Sequence, residues 1–246
     1  MSETRPSVIE RLLQPRTLAI IGISADERSM GGFVLGNLER FGYAGAIHLV
    51  SRNATTVRGR PCVASVDALP PGIDVAILAV PESVVLDTVR ACGARGVGAA
   101  VVFAAGYAEV GPEGQQRQDA LAAAAREAGV ALVGPNCMGL TNFFDGIPLT
   151  FETVEHQPER GVPGVSIVAQ SGAMANNIRE ALFGRREPVA VSVSTGNEAG
   201  LTVEDYVEHF IDDPRTRVIA VYAEQIRQPA RLRSLAVRAR QAGKPL

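Results

Sequence analysis

Apolar runs of strand length alternate with longer amphipathic stretches through the first half of the chain. They are "TLAIIGI", then Gly32 to Phe41, "AIHLV", "DVAILAV", Glu82 to Ala94, "GAAVVFAA", Pro112 to Ala128 and "VALVG". Short runs that are apolar on both faces, each followed by a helical pattern, predict a mostly parallel sheet covered by helices on either side. Residues 1–140 therefore read as a doubly wound α/β domain of Rossmann-like type.

The alternation stops in "TNFFDGIPLTFETVEHQPERGVPG", which is rich in Gly, Pro and charge, and residues 141–163 read as a linker. It resumes at residue 164 with "GVSIVA", a helix over Gly172 to Phe183, "PVAVSVS", a helix over Thr202 to Ile211, "RVIAVYAE" and a helix over Ala230 to Ala242. A helix ending at Gly243 and followed by "KPL" is how an αβ unit passes the chain to its next strand. Residues 164–246 thus read as the first part of a second α/β domain, and the chain as a piece of a longer one.

Composition narrows the function classes. With 246 residues, 46% of them apolar, the chain can bury a substantial core. A net charge of −2 and the absence of Trp leave little to neutralise phosphate backbones or stack on bases, so nucleic acid is not an expected partner. Neither a signal peptide nor a membrane span is apparent, and a cytoplasmic protein without membrane contact is expected. Cys62, Cys92 and Cys137 are widely spaced and form no CxxC pair, which suggests neither disulfides nor a metal site.

In "AIIGISADERSMGG", Gly22 follows the first strand and Gly31-Gly32 stand near the start of the first helix. A phosphate-bearing ligand is expected at such a turn, where backbone N–H groups and a helix N-terminus favour negative charge. The dinucleotide fingerprint fails, since Ser24 holds the position of its second glycine and the loop runs longer, which disfavours NAD. The second strand ends not in an acidic residue but in Ser51-Arg52, a pair suited to an anion. The plain alternative is that these glycines only permit close helix packing. Val80-Pro81, Ala105-Gly106-Tyr107 and Asn136-Cys137 follow later strands and outline the same edge of the sheet. Cys137 invites a nucleophile reading, but with no His nearby in sequence a packing or ligand-contact role fits better.

The second domain has its own turn, "GVSIVAQSGAMANNI". The Gly-x-Ser-x-Gly frame of a hydrolase nucleophile is missing around Ser171. Instead a strand delivers Gln170, Ser171 and Gly172 to the start of a helix, an arrangement that cradles phosphate and in which Ser171 can also serve as the N-cap. Ser194, Thr195, Gly196 and Asn197 end the next strand, and Glu224 ends the third. A carboxylate there could orient an imidazole for phosphoryl chemistry, yet His48 lies in a strand-like run, His156 in the linker and His209 on an amphipathic helix.

Together "IIGIS", "FAAGYAE", "VGPNCMGL", "SIVAQSGAM" and "STGNEAGLTVEDYVEHFIDDPRTRVIAVYAE" give the whole chain a specific resemblance. It resembles the N-terminal part of the NDP-forming (ADP-forming) acyl-CoA synthetases and the related α subunit of succinyl-CoA synthetase. The resemblance implies a Rossmann-like CoA-binding domain followed by a truncated flavodoxin-like ligase domain. It places CoA, or an acyl-CoA, against Gly22, Ile23, Ser24, Ser51, Arg52, Val80, Pro81, Ala105, Gly106, Asn136 and Cys137, with phosphate at Gln170, Ser171 and Gly172. Glu224 would match the catalytic glutamate that hydrogen-bonds a phosphorylated histidine, which in the family lies beyond the position of Leu246. The family reaction joins acyl-CoA, phosphate and ADP to acid, CoA and ATP through acyl phosphate and phosphohistidine. ATP, ADP and Mg enter through an ATP-grasp domain or subunit that this chain does not contain. One departure stands out: the family's Asn-Pro and basic residue after the second strand are here Ser51-Arg52-Asn53.

Two other functions stay open at this level. One is a non-catalytic CoA-sensing module of the kind fused to protein acetyltransferases. The other, an NAD(P)-dependent oxidoreductase, rests on fold analogy alone. The acyl group and any homo-oligomer formed through the second domain are likewise open.

Overall fold

The computed structural model describes residues 7–155 and 158–246; His156 lies outside them. The chain opens with α1 (Val8–Leu13), started by a capping box in which Ser7 and Glu10 satisfy each other's backbone N–H groups. The first sheet contains β1 (Thr17–Ile21), β2 (Ala46–Val50), β3 (Thr56–Val57), β4 (Arg60–Val63), β5 (Val75–Leu78), β6 (Ala99–Val102) and β7 (Ala131–Val133). Its order is β3-β4-β2-β1-β5-β6-β7, and every pairing is parallel except β3 with β4. From β4 to β7 this is a doubly wound order that reverses at β1, which places a crevice at the carboxyl ends of β1 and β5.

Helices α2 (Met30–Arg40), α3 (Glu82–Ala94) and α4 (Pro112–Glu127) cover the two faces. Strand alternation sorts the core between them. Leu18 and Ile20 join Val34, Leu35 and Leu38 of α2, whereas Ala19 and Ile21 join Val85 and Val89 of α3 and Leu121 of α4.

The second sheet comprises β8 (Gly139–Asn142), β9 (Ile147–Thr150), β10 (Gly164–Ala169), β11 (Val189–Ser194) and β12 (Thr216–Tyr222), in the order β12-β10-β11-β8-β9. Strands β10, β11 and β12 are parallel; β8 and β9 form an antiparallel hairpin on the side of β11. Helices α5 (Gly172–Gly184), α6 (Val203–Asp212) and α7 (Pro229–Gln241) complete this unit. The Pro245 carbonyl accepts the Ile219 N–H at 2.9 Å on the outer edge of β12.

The segment read as a linker differs most from expectation. Residues 139–142 and 147–150 are strands buried at every position, and Leu140, Ile147 and Leu149 belong to the cluster that also holds Ile20, Leu35, Val191 and Phe210. One apolar core thus runs from a face of the first sheet, through the hairpin, to the α6 side of the second. Farther along, the buried Asn37 of α2 donates to the carbonyls of Thr150 and Glu152 and accepts from Val154 N–H. The stretch is built in because buried backbone groups require partners and α2 supplies them. Among the described residues no helix is long and apolar enough to cross a membrane.

Candidate functional site

A cleft of about 520 Å³ opens where the first sheet reverses, within the usual size range of small-molecule sites. Its walls include Gly22, Ile23, Ser24, Ser51, Arg52, Val80 and Pro81, so seven of the eleven residues expected to meet CoA converge on one crevice. Gly22 is fixed by geometry: its φ is +91°, and an added Cβ would stand 2.4 Å from the Ala79 carbonyl oxygen and 2.6 Å from Val80 Cγ1. Only glycine lets β1 turn this tightly against the end of β5. The N–H groups of Gly22 and Ile23 donate to the Val50 carbonyl, at 3.0 and 3.3 Å, so they brace the turn. The side chain of Ile23 is buried in the core.

Gly31 and Gly32, at the start of α2, serve packing. A Cβ on Gly31 would press on Ile23 Cα at 3.2 Å, and one on Gly32 would meet the Glu27 carbonyl at 2.5 Å. Ser51 is buried and its Oγ accepts Ala54 N–H at 3.2 Å, which shapes the turn that leaves Arg52 exposed. Pro81 is the residue before α3, where its fixed φ suits a helix start. The cleft also contains Asp67, Asp87 and Thr88, which the sequence reading did not single out.

The remaining four candidates lie past β6 and β7, outside the residues lining this cleft. Ala105 is exposed, and Gly106 is held by its neighbours: its N–H donates to Glu109 Oε1 and its carbonyl accepts from Arg117 at 2.7 and 3.0 Å. Asn136 is exposed and donates to Asn197 Oδ1 at 3.2 Å. Cys137 is 3% exposed, its thiol donates to the Val102 carbonyl at 3.3 Å, and burial pushes its pKa up to about 12. A protonated, buried thiol is not poised as a nucleophile, and in this structure Cys137 packs beneath the Val102 carbonyl.

The second cluster sits at the carboxyl ends of β10, β11 and β12. Ser171 is the N-cap of α5, and its Oγ accepts Met174 N–H at 3.3 Å. Gly172 opens the helix under Met138, whose sulfur would be 2.2 Å from an added Cβ. The helix start thus combines small side chains, N–H groups and the positive end of a dipole, the elements that hold an oxyanion.

Gln170 departs from its expected role. Its side-chain oxygen accepts the N–H groups of Glu224 and Gln225 at 2.7 and 2.9 Å, while Nε2 donates to Glu198 Oε2 at 3.0 Å and to the Gln225 carbonyl at 2.6 Å. The side chain is therefore a tie between strand ends. Glu224 is exposed, and no hydrogen bond or ion pair holds its carboxylate among the described residues. His48 and His209 stand elsewhere, on β2 and α6.

Glu198 is the residue sequence reasoning missed. It is buried, with Oε1 accepting Thr195 Oγ1 and Val203 N–H at 3.0 and 2.9 Å, and with Arg227 Nε 3.6 Å from Oε2. Burial raises its pKa, and the donors from Thr195, Val203 and Gln170 act against that rise. The signal was a charge inside the small-residue run "STGNEAG".

Comparison with known proteins adds two matches, one for each unit, of which the first runs on through β8 of the second sheet. A family model described as a CoA binding domain matches residues 16–142, and a succinyl-CoA ligase like flavodoxin domain matches residues 162–246. A trans-feruloyl-CoA synthase from an unknown prokaryotic organism is 45% identical over 97% of this chain and 34% of its own length. The ADP-forming acetate–CoA ligase II subunit alpha of Pyrococcus furiosus is 31% identical over 91% of this chain and 48% of its own. Among solved structures, the dinucleotide forming acetyl-coenzyme A synthetase 1 of Ca. Korarchaeum cryptofilum, in its apo form, superposes with a TM-score of 0.86. It is 30% identical and covers 94% of this chain, which in turn spans 50% of it. The chain spans about a third to a half of the length of these relatives.

Proposed function

Because the chain belongs to the ADP-forming acyl-CoA synthetase family, with its CoA-binding and succinyl-CoA ligase-like domains, we propose that it forms the CoA-binding and phosphate-holding portion of such an enzyme. The observation that carries this reading is the pairing of two sites on one continuous apolar core. A cleft of nucleotide size stands at the reversal of the first sheet, and the α5 start stands beside the exposed Glu224 in the second.

In this reading the Gly22–Ser24 turn, Arg52 and Pro81 receive CoA, with Arg52 as the cationic contact for a phosphate of the ligand. Ser171 and Gly172 hold phosphate through the helix start, and Gln170 contributes by shaping the edge around them. Glu224 keeps its carboxylate available to orient the histidine that carries the phosphoryl group, a residue outside this chain. Joining acid, CoA and ATP would then require an ATP-grasp partner, as a further domain or a separate subunit; Pyrococcus furiosus has relatives named as alpha subunits. The CoA-binding unit ends ahead of β8, and the hairpin β8–β9 belongs with the ligase-like unit, whose sheet it extends.

The test is thioester formation by the whole enzyme with its nucleotide-binding portion, supplied with CoA, ATP and a panel of carboxylic acids. Ferulate is the first acid to offer, since the relative named for it is 45% identical, against 36% for an acetate–CoA ligase of Archaeoglobus fulgidus. Release of ADP and phosphate with the thioester supports the proposal. Release of AMP and pyrophosphate, or hydride transfer to NAD(P), overturns it.

A further inference from the structure

The loop after β11 is held from both sides. Toward the first sheet, Asn197, Ala199 and Leu201 donate their N–H groups to the carbonyls of Pro135, Gly134 and Leu132 at 2.9, 2.9 and 2.8 Å. The loop therefore lies along β7 as an added strand would. Its glycines permit that approach: a Cβ on Gly196 would stand 2.3 Å from the Pro135 carbonyl oxygen, and one on Gly200 would stand 2.5 Å from that of Leu132. The Asn197 amide reaches Glu109 and Gln118 of the first unit.

Between those contacts, Glu198 sends its side chain back into the second unit. It holds φ at +58°, a conformation that non-glycine residues adopt rarely and retain where surrounding structure requires it. Its carboxylate is filled by donors from Thr195, Val203 and Gln170. Gln170, in turn, is the side chain that fixes the backbone of Glu224 and Gln225. A buried carboxylate is costly unless such donors satisfy it, and a carboxylate accepts at both oxygens where an amide accepts at one.

We infer that Glu198 is a positioning residue of the phosphate site: it fixes Gln170, which fixes the start of the loop carrying Glu224, and its own loop is anchored on the CoA-binding unit. The inference rests on the proposed role of the Ser171–Glu224 edge. Glu198 itself touches no reacting atom in this scheme. Its part is to keep Gln170 in the rotamer that ties two strand ends together.

The test compares amide hydrogen exchange at Glu224 and Gln225 in the isotopically labelled chain, with separate titrations by CoA and by inorganic phosphate. In Glu198→Gln an amide faces the Gln170 amide, donor against donor. Exchange at both positions should then rise about tenfold, and phosphate affinity should fall about tenfold, the scale set by one well-formed hydrogen bond to a charged group. CoA affinity should stay as in the wild type. Adding Gln170→Glu to Glu198→Gln restores a donor–acceptor match, so protection of the Glu224 amide should return, which a role limited to packing would not produce. Thr195→Val, which removes one donor to Glu198, is the milder variant and should move exchange in the same direction.

Unchanged protection at Glu224 and Gln225 in Glu198→Gln, or no recovery in the reversed pair, overturns the inference. If the wild-type chain binds neither CoA nor phosphate, the proposed function is what fails, and the exchange comparison still decides the role of Glu198.

Discussion

The side-chain oxygen of Gln170 accepts the backbone N–H of Glu224 at 2.7 Å, across 54 residues of sequence. With the second bond from Gln225, this makes one amide the joint between the ends of β10 and β12. Gln170→Ala removes four hydrogen bonds of that joint and should lower stability by about 2 kcal/mol. Urea unfolding measures the loss. CoA affinity, set in the other unit, should be unaffected.

Ser171 has two roles that separate by substitution. As an N-cap alone, its replacement by Ala costs about 1 kcal/mol, and replacement by Gly only a few tenths. If its hydroxyl also meets phosphate, both variants should lose phosphate affinity by a similar factor despite their different stabilities. Thermal unfolding and phosphate titration of the two variants check this. Phosphate affinity that merely followed stability would reduce Ser171 to a cap.

The cysteines should differ in reactivity. Cys92 and Cys137 are fully or nearly fully buried, and burial pushes each thiol up to about 12, while Cys62 is half-buried on β4, next to the edge of the sheet. Iodoacetamide at about pH 8, near the ordinary thiol pKa, should label Cys62 first in the native chain, with Cys92 and Cys137 labelled only after unfolding. Peptide mass spectrometry reads the order. Early labelling of Cys137 would contradict its burial beside Val102.

Asp74 ties the start of β1 and the helix α1 to the start of β5. Burial by itself raises its pKa, but the N–H groups of Arg16 and Thr17, the Arg11 guanidinium and the Thr17 hydroxyl outweigh that and hold the carboxyl below its ordinary value. The folded state therefore favours the ionised form. The stability this supplies is fully present above the ordinary Asp range and is lost as pH falls through the lowered folded value. Asp74→Asn should cost about 2 kcal/mol at neutral pH and flatten the decline below about pH 4. Denaturant midpoints from about pH 7 down to about pH 2 would show it.

The sequence carried the parallel strands and their helices because each apolar run had one period and clear ends. The amphipathic stretch Glu82–Ala94 is α3 to the residue. The hairpin β8–β9 escaped notice for a physical reason. Four-residue strands such as "IPLT" show too few alternations to stand out beside Asp145, Gly146 and Pro148, and their partners are as distant as Val191. The crevice at Gly22 was legible because a glycine after a first strand has a local steric meaning. Gln170 and Glu198 were not, since the partners that define them are contributed by other strand ends and only the folded chain brings them together.

The most direct test of the account is calorimetric titration of the chain with CoA, with NAD and NADP in separate runs, for the wild type and for Gly22→Ala. The variant forces a side chain to φ +91° and into the Ala79 carbonyl, so it should weaken CoA binding by at least about tenfold while costing about 2 kcal/mol of stability. The account expects CoA to bind the wild type and neither dinucleotide to do so. Binding of NADP without CoA would contradict it, and would make Arg52 the partner of a 2′-phosphate on a dinucleotide.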